Sequence, residues 1–231
     1  MRNQPLLEVL RDLAALYPAG SVLKVASVGC STGAELYSLL WLIRSARPDL
    51  RIEASGIDIS QSVIAKAEAG IFSRSDAELS WLSETEIASF FDEKSGRLMV
   101  KSFLRHNVSW RVADVMHPAL PDILEPQDFL LANNFMGPFR EKDAEKCLYN
   151  LSRLVKAGGY LVSSGLDTDL RTRWMKSQGY IPITTRVEEV HFGDRSMLDW
   201  PWKRWGVEPL EKTRTGWAAR YAIVFQIPAV S

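Results

Sequence analysis

The chain has 231 residues, 46% of them hydrophobic, and its 28 Lys and Arg residues balance 28 Asp and Glu residues. This length suits a single domain over residues 1–231, and a formal net charge of zero gives no general attraction to nucleic acid or to a membrane surface, so we expect neither as a partner. The two cysteines, Cys30 and Cys147, lack the paired spacing of a disulfide framework or a zinc site, which predicts reduced thiols and no metal.

Residues 1–20 predict an amphipathic helix, because leucines recur at helical spacing between charged residues. The segment is too polar for a signal peptide, and no apolar run in the chain is long enough to span a bilayer. We therefore expect a cytoplasmic protein.

The chain is organised around the stretch that follows. It predicts a buried strand (Val22 to Val28), a small-residue turn (Gly29 to Gly33), a helix (Ala34 to about Ala46) and a second buried strand that ends at Asp58. Parallel strands joined by a helix form a right-handed unit, and the ends of their strands make a ligand crevice. We expect the functional site in that crevice.

The turn consists of small residues: Gly29, Cys30, Ser31, Thr32 and Gly33. The two glycines let the backbone bend sharply and a ligand approach closely, and the N–H groups at the helix start favour an anionic group. Glycines four residues apart do not make the dinucleotide fingerprint G-x-G-x-x-G. Together with the lack of a Tyr-x-x-x-Lys pair, this disfavours a nicotinamide-dependent reductase.

Two acidic residues of this stretch each have two interpretations. Asp58, at the tip of the second strand, either accepts hydrogen bonds from the vicinal hydroxyls of a ribose or caps the next helix. Glu35, in the first turn of an apolar helix, either complements the helix dipole or faces the crevice and pairs with a cationic ligand.

The rest of the chain continues to alternate between strands and helices. Before a proline-rich loop, the pattern predicts helices and then two strand-like runs: Ser60 to Gly70, Ile71 to Phe91, Arg97 to Leu104 and Val108 to Ala113. The apolar run Asp128 to Ala132 predicts a central parallel strand that delivers Asn133 and Asn134 into the crevice. A helix, a strand, a helix and a closing antiparallel pair of strands are then expected: Glu141 to Lys156, Tyr160 to Ser164, Asp167 to Gly179, Tyr180 to Val190 and Trp217 to Ile227.

A tryptophan-rich insert, residues 191–217, separates those last two predicted strands. Its tryptophans alternate with basic residues: Trp200, Trp202, Trp205 and Trp217. They either stack on an anionic, sugar-like or aromatic acceptor or pack the insert onto the sheet edge. The three histidines have no metal spacing and are expected to be surface or core residues rather than catalysts: His106, His117 and His191.

Five segments between Val22 and Gly165, taken in order, resemble the CheR-type family, which methylates glutamates on chemotaxis receptors. They are SVGCSTGAELYSL, ASGIDISQSVIAKAEAGIF, FFDEKSGRLMVKSFLRHNVSWRVADV, DFLLANNFMGPF and LVKAGGYLVSSG. The resemblance implies a Rossmann-like α/β methyltransferase fold. In that fold a mainly parallel seven-stranded sheet has an antiparallel last strand and helices on both faces.

The resemblance also implies S-adenosylmethionine as the cofactor. Asp58 would hold its ribose, Asp114 the exocyclic amine of its adenine, and Ile59 and Val115 the ring faces, while Glu35 would meet its amino or sulfonium group. The other cofactor-binding positions lie in the glycine turn and after the central strand: Gly29, Ser31, Thr32, Gly33, Asn133 and Asn134.

The sequence departs from the family pattern at the acceptor side. Asn133 replaces an arginine, the family's I-Y-F is Gly137, Pro138 and Phe139, and the family's N-terminal helical domain has no counterpart before the first strand. We expect Asn133, Asn134 or Tyr37 near the methyl group and an acceptor that is a small molecule, a glycan or a protein carboxylate. The alternative is a regulatory module that binds S-adenosylmethionine or S-adenosylhomocysteine without turnover.

Overall fold

Helices and strands alternate along the computed structural model, which describes residues 3–80, 82–194 and 208–229. The helices are α1 (Gln4–Ala14), α2 (Ala34–Ala46), α3 (Gln61–Ala69), α4 (Glu84–Phe90), α5 (Ser102–Arg105), α6 (Leu120–Ile123), α7 (Glu141–Ser152), α8 (Thr168–Ser177), α9 (Val187–Phe192) and α10 (Trp217–Tyr221). The strands are β1 (Val22–Val28), β2 (Arg51–Asp58), β3 (Ile71–Phe72), β4 (Phe91–Lys94), β5 (Arg97–Val100), β6 (Val108–Val112), β7 (Gln127–Asn133), β8 (Val155–Ser164), β9 (Ile181–Pro182) and β10 (Val224–Gln226).

The main sheet has seven strands in the order β6-β2-β1-β7-β8-β10-β9. The first five strands in this order run parallel, and β10 pairs antiparallel with both β8 and β9. The predicted fold class, with an antiparallel last strand, is therefore confirmed. All seven residues of β7 are buried, as expected for the centre of a parallel sheet that is covered on both faces.

Two apolar clusters cover the two faces of this sheet. One joins α1 and α2 to the sheet through residues such as Leu10, Leu36 and Phe129. The other joins α7 and α8 to the opposite face through residues such as Leu148 and Met175. Within the described residues, no helix is both long and apolar enough to cross a bilayer.

The segment predicted as helices over Ile71 to Phe91 is different in the structure. It begins with β3 and passes through a single turn of 3-10 helix at Ala77–Leu79, and its described residues contain one α-helix, α4. Strands β3, β5 and β4 form a separate antiparallel sheet. The reason is a tight hairpin at Ser95 and Gly96, whose φ angles of 51° and 72° are those that a twisted two-residue turn requires.

The predicted closing strands were also too long. Of the two predicted strands only the short segments β9 and β10 form, and they pair with each other; α9 takes up the last four residues of Tyr180 to Val190, because Val187 and Val190, three residues apart, bury one helical face. Helix α7 ends at Ser152 rather than Lys156, and Gly158 lies inside β8 with a φ of 80°. Trp200, Trp202 and Trp205 of the insert lie outside the described residues.

Candidate functional site

The carboxyl ends of β1, β2, β6 and β7 meet at one edge of the sheet, as parallel pairing requires. The turn after β1 joins α2, whose first residue, Ala34, follows directly on Gly33. The predicted crevice is therefore the place where the glycine turn, the end of β2 and the end of β7 come together.

The glycine turn has alternate residues in the left-handed region. Gly29, Ser31 and Gly33 have φ angles of 65°, 50° and 79°. Such turns direct successive N–H groups toward one side and favour anions or polar ligand groups there. Gly33 also occupies the N-cap position of α2 and makes no side-chain cap hydrogen bond, so the helix start adds backbone donors to the same region.

The turn requires glycine at both predicted positions, but the structure gives a different reason for this than the sequence analysis did. A Cβ at Gly29 would lie 2.7 Å from Cδ1 of Phe135, and a Cβ at Gly33 would lie 2.4 Å from Cη2 of Trp110. Sequence alone assigns this close approach to a ligand. In the structure two aromatic rings make it, so both glycines are needed for packing as well as for their backbone angles.

Asp58 is half-buried and its carboxylate is held by the backbone. Oδ2 accepts a hydrogen bond from the Ser31 N–H at 2.9 Å, and Oδ1 accepts one from the Ser60 N–H at 3.0 Å. Each carboxylate oxygen still has a lone pair for a ligand donor. Ile59, the next residue, is 69% exposed, so an apolar surface lies beside a fixed carboxylate.

Glu35 and Asn133 meet across the crevice. The Asn133 side chain donates from Nδ2 to Oε1 of Glu35 at 2.8 Å, which connects the first turn of α2 to the end of β7. Oδ1 of Asn133 is buried and has no hydrogen-bond partner in the described part of the chain. Asn134 follows with a φ of 61° and donates its N–H to the Ser164 carbonyl at 3.1 Å.

A cavity of about 310 Å³ opens beside this junction. Six of the predicted site residues line it: Gly29, Ser31, Thr32, Glu35, Asn133 and Asn134. The opposite wall is apolar and comes largely from the small sheet and its neighbours: Phe72, Leu79, Phe90, Phe91 and Val100. A largely apolar cavity with a few polar groups on one side is typical of a small-molecule site.

Sequence reasoning missed a second carboxylate in this cavity. Glu78, in the 3-10 turn, lines the cavity and accepts a hydrogen bond from Oγ1 of Thr32 at 2.7 Å. No spacing pattern in the sequence identifies Glu78, because it lies in a segment with little regular structure that packs beside the cavity. Glu35 and Glu78 together give the cavity wall two carboxylates.

Of the other predicted residues, Tyr37 also lines this cavity, whereas a further five do not: Gly33, Asp58, Ile59, Asp114 and Val115. Asp114 is exposed, and its Oδ1 accepts a hydrogen bond from the Met116 N–H at 2.8 Å. Val115 is buried within the second apolar cluster and its carbonyl accepts from Nδ2 of Asn150 at 2.9 Å. They follow β6, which pairs with β2 up to Asp58, so they lie along the same edge of the sheet.

Tyr37 cannot supply a free hydroxyl near the crevice. Its hydroxyl donates to the Ala67 carbonyl at 2.8 Å, and burial raises the pKa of the phenol to about 12. Burial and the nearby charge of Asp58 likewise raise the pKa of the Cys30 thiol to about 12. Neither group is suited to act as a base or a nucleophile at neutral pH.

The donors and acceptors of the crevice are compatible with a nucleoside that carries a cationic centre. The Asp58 carboxylate is fixed by two backbone N–H groups, Glu35 lies at the junction with the cavity, and Oδ1 of Asn133 has no hydrogen-bond partner among the described residues. A sulfonium beside a ribose and an amino-acid tail matches these groups by charge and by hydrogen bonding. The fold and the site thus define a protein of the S-adenosylmethionine-dependent methyltransferase class.

The particular family follows from comparison with known proteins. The family model described as "CheR methyltransferase, SAM binding domain" matches residues 1–171. The chain therefore belongs to the CheR methyltransferase family, and its cofactor is S-adenosylmethionine.

Curated relatives are similar over much of the chain but are longer. The chain is 30% identical over 191 residues to the probable biofilm formation methyltransferase WspC of Pseudomonas putida, covering 82% of this chain and 43% of that protein. It is 24% identical over 184 residues to chemotaxis protein methyltransferase 2 of Vibrio cholerae, covering 75% of this chain and 63% of the relative. The chain thus spans less than two thirds of the length of either relative.

Solved structures include the magnesium protoporphyrin IX methyltransferase of Synechocystis with bound S-adenosylmethionine. It is 13% identical and gives a TM-score of 0.46 over 78% of this chain and 70% of that one.

Proposed function

We propose that the protein transfers the methyl group of S-adenosylmethionine to an acceptor that enters the 310 Å³ cavity. The observation that carries this proposal is the Glu35 to Asn133 hydrogen bond, which lies where the glycine turn meets the cavity. When bound, the cofactor supplies a methyl group on a positively charged sulfur.

The nucleoside end would be held along the edge formed by β2 and β6. Asp58 has lone pairs left for both ribose hydroxyls, and the exposed Ile59 offers an apolar face to the adenine. Asp114, at the end of β6, would accept a hydrogen bond from the exocyclic amine. Val115 is packed in the core, so its main contribution is to fix the backbone next to Asp114.

The reacting end would be positioned by charge. Glu35 and Glu78 place two carboxylates on the cavity wall, and opposite charges attract strongly in a partly buried site. Methyl transfer from a sulfonium needs little from the protein beyond holding donor and acceptor in line, because the leaving group departs neutral and needs no stabilisation. A base is required only if the acceptor is not already nucleophilic, so a carboxylate acceptor would need none.

The acceptor itself would contact the apolar wall of the cavity, which includes Phe72, Phe90 and Phe91. A protein acceptor is supported by the name of the Vibrio cholerae relative, a chemotaxis protein methyltransferase. A small molecule or a glycan is compatible with the same cavity. The competing function is a regulatory module that binds the cofactor without turnover, and it is favoured by Asn133 and Pro138, which stand where the family has an arginine and a tyrosine.

Glu35→Gln tests the proposal through binding. Calorimetric titration should show S-adenosylmethionine binding about tenfold more weakly, because a charge-assisted interaction is worth about 1.5–3 kcal/mol. The neutral analogue 5′-methylthioadenosine should bind equally well to both proteins. Glu53→Gln, on the exposed face of β2, is the matched control and should change neither affinity.

Two results would contradict the proposed function. One is that neither S-adenosylmethionine nor S-adenosylhomocysteine binds the wild-type protein. The other is that the protein binds both but forms no S-adenosylhomocysteine with protein, glycan and small-molecule acceptors from its own cell extract, which would support the regulatory module instead.

A further inference from the structure

A second, smaller cavity adjoins the first. Its volume is about 60 Å³, and it shares Glu35, Asn133 and Asn134 with the larger one. Its far wall includes Arg171 from α8 and His191 from α9. Since one ordered water needs at least about 10–15 Å³, the space holds a few waters or one small head group.

Arg171 is the unusual residue of this cavity. Its side chain is 2% exposed, and its Nε has no hydrogen-bond partner in the described part of the chain. Among the residues that the structure describes, Nη1 and Nη2 donate to the carbonyls of Ser163 and Arg220, at 3.5 and 3.4 Å, which are long hydrogen bonds. The nearby carboxylate of Glu208 is bound to Arg220 instead.

A buried guanidinium without a carboxylate partner is costly, because its charge is removed from water without compensation. Within the described ranges Arg171 forms no ion pair. Desolvation lowers the pKa of Arg171 to about 10, which still leaves it charged at neutral pH. Arg171 therefore contributes one buried positive charge to the cavity wall, which an anionic ligand group would neutralise.

Two further residues that line this cavity carry hydrogen-bond acceptors, His191 and Asn133. Nε2 of His191 and Oδ1 of Asn133 are buried, and neither has a partner among the described residues. The His191 ring is hydrogen-bonded to the backbone of Glu208, and burial lowers its pKa, so it is neutral at neutral pH. With Nδ1 making that bond, Nε2 is left as an acceptor.

We propose that the small cavity binds an α-amino-acid head group, with its carboxylate on Arg171 and its ammonium on His191 Nε2 and Asn133 Oδ1. The carboxylates of Glu35 and Asp194, which also line the cavity, suit the ammonium and not a simple anion. The combination of one cationic donor, two neutral acceptors and two carboxylates matches a zwitterion better than any singly charged group. The inference rests on the proposed function, since the head group belongs either to the tail of the cofactor or to an amino-acid acceptor.

Arg171→Met is the test, with Arg173→Met as the matched control on the same helix. Arg173 is exposed and pairs with Glu141 on the surface. Calorimetry with S-adenosylhomocysteine and 5′-methylthioadenosine separates the two sources, because the second ligand has the same nucleoside and no head group. If the cofactor tail occupies the cavity, Arg171→Met weakens S-adenosylhomocysteine about tenfold or more and leaves 5′-methylthioadenosine unchanged.

If an acceptor occupies the cavity, Arg171→Met leaves both affinities unchanged. Glycine at millimolar concentration should then bind the wild-type protein saturated with S-adenosylhomocysteine, in ligand-observed NMR. That signal should disappear in Arg171→Met and persist in Arg173→Met, while ethylamine, which has no carboxylate, should give none.

Two results would overturn the inference. The first is that Arg171→Met changes the affinities for S-adenosylhomocysteine and 5′-methylthioadenosine by the same factor, or changes neither, and that glycine does not bind the wild-type protein. The second does not depend on how well the variant folds: a crystal structure of the wild-type protein with S-adenosylhomocysteine and glycine that shows only water in the cavity. Failure of every nucleoside ligand to bind the wild type would instead contradict the proposed function.

Discussion

Replacement of Asp58 by Asn tests the proposed hydrogen bonds between the Asp58 carboxylate and the ribose of the cofactor. In the structure, one carboxylate oxygen accepts from the Ser31 N–H and the other from the Ser60 N–H, so each has one lone pair left for a ribose hydroxyl. An amide keeps one accepting oxygen, and its NH₂ group would face a backbone donor. One ribose hydrogen bond is then lost, and the other loses its charge assistance.

The expected loss can be worked out from these contacts. A hydrogen bond to a charged group is worth about 1.5–3 kcal/mol and a neutral one about 1 kcal/mol, so the substitution costs about 3 kcal/mol of binding. This corresponds to an affinity roughly 100-fold lower. S-adenosylhomocysteine and 5′-methylthioadenosine should lose affinity equally in calorimetry, because both carry the ribose.

Asp92→Asn, on the exposed face of β4, is the control and should bind both ligands as the wild type does. Circular dichroism should show that Asp58→Asn is folded. An affinity within about threefold of the wild type would refute the reasoning, since that change is smaller than a single neutral hydrogen bond.

Two further predictions concern packing and reactivity. Gly33→Ala should lower the free energy of unfolding in urea by about 2–5 kcal/mol, because the alanine has an unfavourable left-handed backbone and its Cβ clashes with Trp110. Gly158→Ala is the control: its φ is similar and nothing lies within 4 Å of the added Cβ, so it should cost only the backbone strain of about 1–2 kcal/mol. Equal losses in the two variants would contradict the clash. Cys30 and Cys147 are buried, and burial raises the pKa of each thiol to about 12. A thiol reagent applied at a pH of about 8.5, where an ordinary thiol is half ionised, should therefore label them only after unfolding. Rapid labelling of the native protein would show that one of them is accessible as a thiolate.

The first third of the fold could be read directly from the sequence. Strand β1 and helix α2 begin and end where the pattern predicts, and β2 ends at Asp58. The reason is that a continuous apolar run, a glycine turn and an amphipathic helix each have a strong local signal. The family resemblance implied that Glu35 and Asn133 both contact the cofactor, and in the structure their side chains are hydrogen-bonded to each other.

Local pattern failed where short elements depend on distant partners. Strands of two or three residues, such as β9 and β10, have no periodicity of their own and exist through pairing with each other and with β8. Arg171 and His191 lie in different helices and share a cavity because α8 and α9 both pack against α10. The sequence therefore predicted His191 to be a surface or core residue and gave no reason to select Arg171.

The order of polar groups across the sheet connects the two ends of the candidate site. Strand order β6-β2-β1-β7-β8 places Asp114, Asp58, Glu35, Asn133 and then the helix that carries Arg171 in succession. Adenine, ribose, sulfonium and amino-acid head group follow one another in the same order along S-adenosylmethionine. The order of the protein's charges thus follows the order of the cofactor's groups, with carboxylates along the nucleoside and sulfonium and a buried cation at the head-group end. This agreement favours the cofactor tail over an acceptor as the occupant of the small cavity. A zero net charge for the whole chain is compatible with this arrangement, because recognition depends on where the charges lie along the edge and not on their sum.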